Sequence, residues 1–341
     1  MKPFKSTILI FICLITTHAF SQYTDVINSN RPGVSRSAFS VGKNVVQIEV
    51  GPYFVKEKRT PATTYEVSGL GVDFAARYGL LFEELEISLE GNYQNDTKRY
   101  TYATDAKDNR ANFKHVTLGA KYLVFDPYKN EEANKPNLYS WKANHSFQWR
   151  HLIPAISVYA GANYDTKNNP YTAPEIEGFS PKIMIATQNN FSGGWVFVMN
   201  LIKDRIGTDQ SDFQYILTLT HSFNPKWVIF GETQGIKSDF YADNLFRVGG
   251  AYLFGKDFQL DTAITFNSKD TPSVFGASIG ASYRLDFHKD PEEKNSENML
   301  ESSKGSKRTK SSKRKKRKSD AFDDNNKTKK QKKKEIDFDD N

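Results

Sequence analysis

The chain has one cysteine, Cys13. It lies within an apolar stretch close to the start, so a processed chain would carry no thiol, and disulfides and thiolate metal sites are excluded from the body. A lipoprotein needs its cysteine just after such a stretch, so lipid attachment is not expected. Apolar runs of membrane-helix length are also missing. The stretch Ile8–Ile15 is far shorter than the roughly 20 residues of a spanning helix. No glycine-rich phosphate loop occurs, and His115, His145 and His151 lack metal-ligand spacing with carboxylates, so neither a cofactor nor a metal is expected. The body lacks a charge imbalance as well. The net charge of +7 comes from the leader and from residues 289–341, and what remains is close to neutral.

Export is the first positive signal. Lys2 and Lys5 precede Ile8–Ile15, and small residues follow, with Ala19 and Ser21 at positions suited to cleavage. Residues 1–21 therefore read as a signal peptide, with Gln22 as the mature start. The exported chain is rich in aromatics, with 25 Phe and 17 Tyr. With no spanning helix, that combination favours an outer-membrane β-barrel.

The stretch Gly69–Tyr93 carries the strand pattern. Leu70, Val72, Phe74, Ala76 and Tyr78 share one face; Asp73 and Arg77 share the other. Leu85, Ile87 and Leu89 then alternate with Glu86, Ser88 and Glu90. Period-two alternation marks strands with two different environments. Full charges opposite an apolar face fit a barrel with lipid outside and a polar lumen within.

Twelve such strands are predicted: Asn44–Lys56, the opening pair within Gly69–Tyr93, Phe113–Phe125, Pro154–Tyr164, Pro181–Gln188, Trp195–Ile202, Phe213–Phe223, Trp227–Thr233, Asn244–Phe254, Phe258–Phe266 and Val274–Phe287. The fold class is thus all-β, an antiparallel transmembrane barrel over residues 44–287. Pro52 weakens the first strand, because proline donates no ladder hydrogen bond. Short turns after even strands and longer polar loops after odd ones, such as Asn95–Ala111, set both chain ends in the periplasm. Asp126–Ile153 breaks that rule. Its Tyr139, Trp141, Phe147 and Trp149 suggest a short helix or irregular hairpin at the inner interface; the alternative is two further strands, giving fourteen.

Residues 22–43 read as a polar lead-in or plug without periodicity. The last strand, with Ile279, Ala281, Tyr283, Leu285 and Phe287 on one face, resembles the closing signal read by barrel-insertion machinery, an expected partner along with outer-membrane lipid. Residues 288–341 read as a disordered, Lys-rich periplasmic tail, too poor in apolar residues to offset its ordering entropy. The basic run Lys313–Lys318 would suggest nucleic-acid binding in a cytosolic protein. The export signal argues against that, leaving a tether to cell-wall polymer or an inert solvated tail.

Strand parity nominates Glu49, Asp73, Arg77, Glu86, Glu90, Lys121, Arg247 and Asp261 as lumen residues. A turn about Leu81–Phe82 would set Arg77 near Glu86 as an ion pair, and Asp73 near Glu90 as two acids sharing a site. These charges serve either as a selectivity constriction or as a polar filling of a narrow barrel. Glu232 is ambiguous, because parity groups it with Val228 and Phe230. An outer-surface hydrolase would need His221 with a serine, but the adjacent Ser222 points to the opposite face; the chain is not expected to be an enzyme.

The segment NRPGVSRSAFSVGKNVVQIEVG resembles the opening of the family labelled meta-pathway of phenol degradation, outer-membrane transporters common in Gram-negative bacteria. Arg31, Pro32, Ser35, Ser37, Phe39, Val41, Gln47 and Glu49 match that opening, while Asn30 and Asn44 depart from the usual Asp and Gly. ARYGLLFEELEI, LGAKYLVFDP, Phe230–Glu232 and Phe258–Asp261 resemble later family motifs in the same order. The tail and leader resemble those of Bacteroidota-type members. The resemblance implies an outer-membrane transporter and says little of its ligand; with the charged lumen, the expectation is a barrel passing a small hydrophilic or aromatic solute. The alternative is a non-conducting structural or assembly barrel in which the basic tail is the working part.

Overall fold

The computed structural model describes residues 26–61, 64–101, 106–129, 139–140 and 149–288. The expected leader, residues 1–21, and the expected tail from residue 289 lie outside them. Twelve antiparallel strands form one closed ring, in which each strand pairs with its sequence neighbours and β1 closes on β12. They are β1 (Val45–Arg59), β2 (Tyr65–Gly79), β3 (Leu85–Tyr100), β4 (Lys107–Phe125), β5 (Ala155–Asp165), β6 (Gly178–Phe191), β7 (Trp195–Asp204), β8 (Asp212–Ser222), β9 (Trp227–Lys237), β10 (Ala242–Phe254), β11 (Phe258–Asn267) and β12 (Ser273–Asp286).

Alternation sorts side chains as the pattern requires. Leu70 and Ile279 are each 66% exposed on the outside, whereas Arg77 is 1% exposed and Glu49 2% exposed on the inside. Charged groups buried behind an exposed apolar surface make sense only where the outer solvent is hydrocarbon. Aromatic side chains gather at the turn end of the ring. Trp195 stacks on His221 with centroids 4.2 Å apart, and Trp227 meets Tyr252 edge-on at 4.8 Å. Such amphipathic rings suit the headgroup level.

The fourteen-strand alternative closes, one loop is corrected, and Pro52 finds its place. First, β4 pairs directly with β5, so the ring has no place for two further strands from Asp126–Ile153. Its described part includes one 3-10 turn, Trp149–Leu152, while Trp141 and Phe147 lie outside the described residues. Second, Asn95–Ala111 is mostly strand, not loop, since β3 runs to Tyr100 and β4 begins at Lys107. These ends are polar on both faces, so no apolar alternation announced them. Arg110 on β4 pairs with Asp96 on β3 at 2.7 Å and ties the extension together. Third, Pro52 sits mid-strand in β1. Its β2 partner is Val72, whereas the β1–β12 ladder skips from the pair Val50–Ala281 to the pair Tyr53–Ser278. The missing donor falls in that gap, on one side only, and the ring stays closed.

Lipid contact at mid-strand gives a direct test. Ile279→Lys should destabilise the folded barrel by about 2–4 kcal/mol, measured by denaturant titration in lipid vesicles. An inward substitution such as Ser278→Ala should cost far less.

Candidate lumen site

Residues 26–43 have no repeating backbone pattern, so their amides need partners other than a ladder. The inward side chains of the strands supply them. Glu232 on β9 accepts the amides of Val34 and Ser35, each at 3.1 Å, the Thr218 hydroxyl at 2.8 Å and an Arg247 N–H at 3.0 Å. Asn200 on β7 clasps Arg36, accepting its amide at 2.6 Å and donating to its carbonyl at 2.8 Å. Lys121 on β4 donates to the carbonyls of Ser37 (3.0 Å) and Phe39 (2.8 Å). Glu86 accepts the Val41 amide at 3.1 Å, and Glu49 accepts the Asn30 amide at 3.3 Å. The segment therefore crosses the interior with contacts to walls on opposite sides of the ring.

Its two arginines are anchored by charge. Arg31 pairs with Asp261 on β11 at 3.2 Å. The guanidinium lies flat over Gly51 on β1 and Gly280 on β12, where an added Cβ would land inside it. Arg36 pairs with Glu90 and stands over the Tyr159 ring, 4.4 Å from its centroid.

The parity-nominated residues all take part in polar contacts at the inner wall. Arg77 donates to Glu86 at 2.9 Å and to Glu49 at 3.2 Å, and Lys121 stands 3.4 Å from Glu86. Arg247 pairs with Glu232 at 3.0 Å. Asp73 and Glu90, expected to share a site, do not. Asp73 accepts from Asn92, and Glu90 takes Arg36. The turn leaves Arg77 opposite Ser88 and Asp73 opposite Asn92, two residues beyond the pairing a turn about Leu81–Phe82 gives, so both expected pairs become diagonals that only opposite charges close. Arg77 reaches Glu86 along the diagonal. Glu232 faces inward with Val228 and Phe230, because part of the inner wall is apolar.

Reading by parity alone missed Asn200, Gln188, Gln259 and Ser282, which are inward and uncharged. Arg31 and Arg36 gave no periodic signal.

Nearer the loop end a second polar layer forms. The Tyr53 hydroxyl lies 2.8 and 2.9 Å from the side-chain oxygens of Asn92 and Gln94 and shares its one proton between them. In the β5–β6 loop, the Tyr171 hydroxyl lies 3.1 and 3.2 Å from the Gln94 and Arg110 carbonyls and shares its one proton between them; burial, with the nearby Asp96 carboxylate, pushes its phenol pKa up and keeps it a donor. Arg205, just past β7, pairs with Asp165 at 2.9 Å. Burial opposes its charge, but the Asp165 bond and its field prevail and hold the guanidinium above its usual pKa. The loop covers β4 where that strand outruns β5, as Asn169 donates to the Phe113 carbonyl at 2.7 Å.

The earlier hydrolase alternative fails on geometry. His221 stacks outside on Trp195, while Ser222 lines the interior. Among the described residues no group of three or more His, Cys, Asp or Glu is placed to hold a metal.

A family model described as "Putative MetA-pathway of phenol degradation" matches residues 29–285. No curated protein matches the sequence significantly. Among solved structures, the COG4313 outer membrane channel from Pseudomonas putida F1 is similar at 10% identity, covering 76% of this chain and 100% of its own, with a TM-score of 0.50. The toluene transporter TodX from Pseudomonas putida aligns at 9% identity over 79% of this chain and 99% of its own, with a TM-score of 0.43. The KdgM porin aligns at 10% identity over 70% of this chain and 99% of its own, with a TM-score of 0.40.

Arg77 is buried against two carboxylates. Arg77→Met should therefore cost about 3–5 kcal/mol, because Glu86 and Glu49 lose a cation. Adding Glu86→Gln should restore part of it. Denaturant midpoints of the single and double variants, read by heat-modifiable gel migration, check the coupling.

Proposed function

The chain belongs to this phenol-degradation pathway family, and on that premise we propose that it is an outer-membrane channel for a small solute, aromatic ones included. Residues 26–37 act as a seated plug. The observation that carries this reading is the kind of bond holding the segment. Its contacts with the wall are mainly hydrogen bonds and ion pairs, each of which water can replace at a net cost of about 1–3 kcal/mol. A polar lumen around such a segment suits opening better than permanent closure. The lumen charges Glu49, Asp73, Arg77, Glu86, Glu90, Lys121, Arg247 and Asp261 would then tune which solutes pass. Entry would be passive, with both chain ends and the Lys-rich tail on the periplasmic side, and with barrel-insertion machinery reading the last strand.

A second reading, the non-conducting structural barrel, draws support from the same filled interior. Under it the tail, bound to cell-wall polymer, does the work.

Planar-bilayer recording separates the two. The full chain should conduct weakly, and deletion of residues 26–37 should raise conductance severalfold while solute flux survives loss of residues 289–341. A deletion variant that folds yet stays closed would favour the structural barrel.

A further inference from the structure

On the β7–β10 side of the seated segment, the inner wall changes character. Its buried apolar side chains are Val198 on β7, Phe230 on β9, and Ala251 and Leu253 on β10. Between this wall and the segment lies a cavity of about 490 Å³ at the turn end of the ring. That is the size range of small-molecule sites, roughly 300–1,000 Å³. Neutral hydrogen-bonding groups complete the lining: Thr220 and Ser222 on β8, beside Phe230 in the same wall, and Ser29 on the segment across from it. The one charged group in the lining, Arg31, is committed to Asp261.

The chemistry of that lining is selective. An apolar wall in a polar lumen leaves water poorly bonded and favours displacement by an apolar body. A neutral polar face satisfies one or two hydroxyls. An anion would lose its hydration and gain no free cation. Three of the four wall residues are aliphatic, so the wall reads shape and polarity, not aromaticity. We propose that this cavity is a binding site for small uncharged alcohols, with an alicyclic body accepted as readily as an aromatic one. It deepens the channel reading and rests on it for the route by which solute enters. Because the segment forms one side of the site, a bound alcohol and the seated segment stabilise each other.

Ligand-observed NMR on the full chain in detergent tests this at neutral pH with cyclohexylmethanol, benzyl alcohol and sodium benzoate. Both alcohols should bind saturably, within a few-fold of each other, and benzoate roughly tenfold more weakly. Ala251→Phe and Val198→Phe each fill the cavity, and each should weaken the alcohols by roughly tenfold. Partition into detergent is the same for every variant, so the difference reports the cavity. Heat-modifiable migration shows which variants fold, and either one suffices. Unchanged alcohol binding in a folded variant would overturn the proposal, as would benzoate binding equal to benzyl alcohol or rejection of cyclohexylmethanol. Binding without conductance would remove the channel reading and keep the site; conductance without binding would remove the site alone.

Discussion

Glu232 shows what the interior demands. One carboxylate accepts two amides of the lead-in, a hydroxyl from β8 and an arginine from β10. The irregular segment has no ladder of its own, so each of its amides must find such an acceptor or remain unpaired. The wall must then carry fixed acceptors at the right heights, and the strand period supplies them at every second residue. Asn200, Glu86 and Glu49 repeat the arrangement around the ring, and Lys121 supplies its converse by donating to two carbonyls of the segment. Those carboxylates in turn need cations, which is why Arg77, Lys121 and Arg247 stand beside them.

The two arginines of the segment close the system from the other side. Arg31 lies over Gly51 and Gly280, where the wall carries no side chain. That place coincides with the break in the β1–β12 ladder next to Pro52. Proline, glycine and arginine thus answer one geometric problem at the seam. Apolar patches interrupt the polar lining, one around Met184, Ile202 and Ile216 and another on the β7–β10 side, against which the cavity lies.

Much of this was legible in the residues. Two-way alternation in Gly69–Tyr93 sufficed for a barrel, for the inward place of Arg77 and for its pairing with Glu86. Parity does not give register, so the Asp73–Glu90 pairing failed by two residues at a turn in which Leu81 takes a positive φ of 61°. Strand extensions beyond the lipid, such as those ending at Tyr100 and beginning at Lys107, carry polar residues on both faces and look like loop. Val228 and Phe230 obscured Glu232 because apolar residues were assigned to lipid. The anchoring roles of Arg31 and Arg36 depend on contacts made across the ring, between residues far apart in the chain, and no local pattern encodes those.

A body without cysteine makes the seated segment directly testable. Single substitutions Ser35→Cys and Lys43→Cys can be labelled with a bulky maleimide in intact proteoliposomes. Ser35 is 8% exposed inside the ring, while Lys43 lies exposed at the turn end. The account predicts rapid labelling at position 43 and strong protection at position 35, lost when Glu232→Ala removes the main acceptor. Equal labelling at both positions in the otherwise unaltered protein would contradict it.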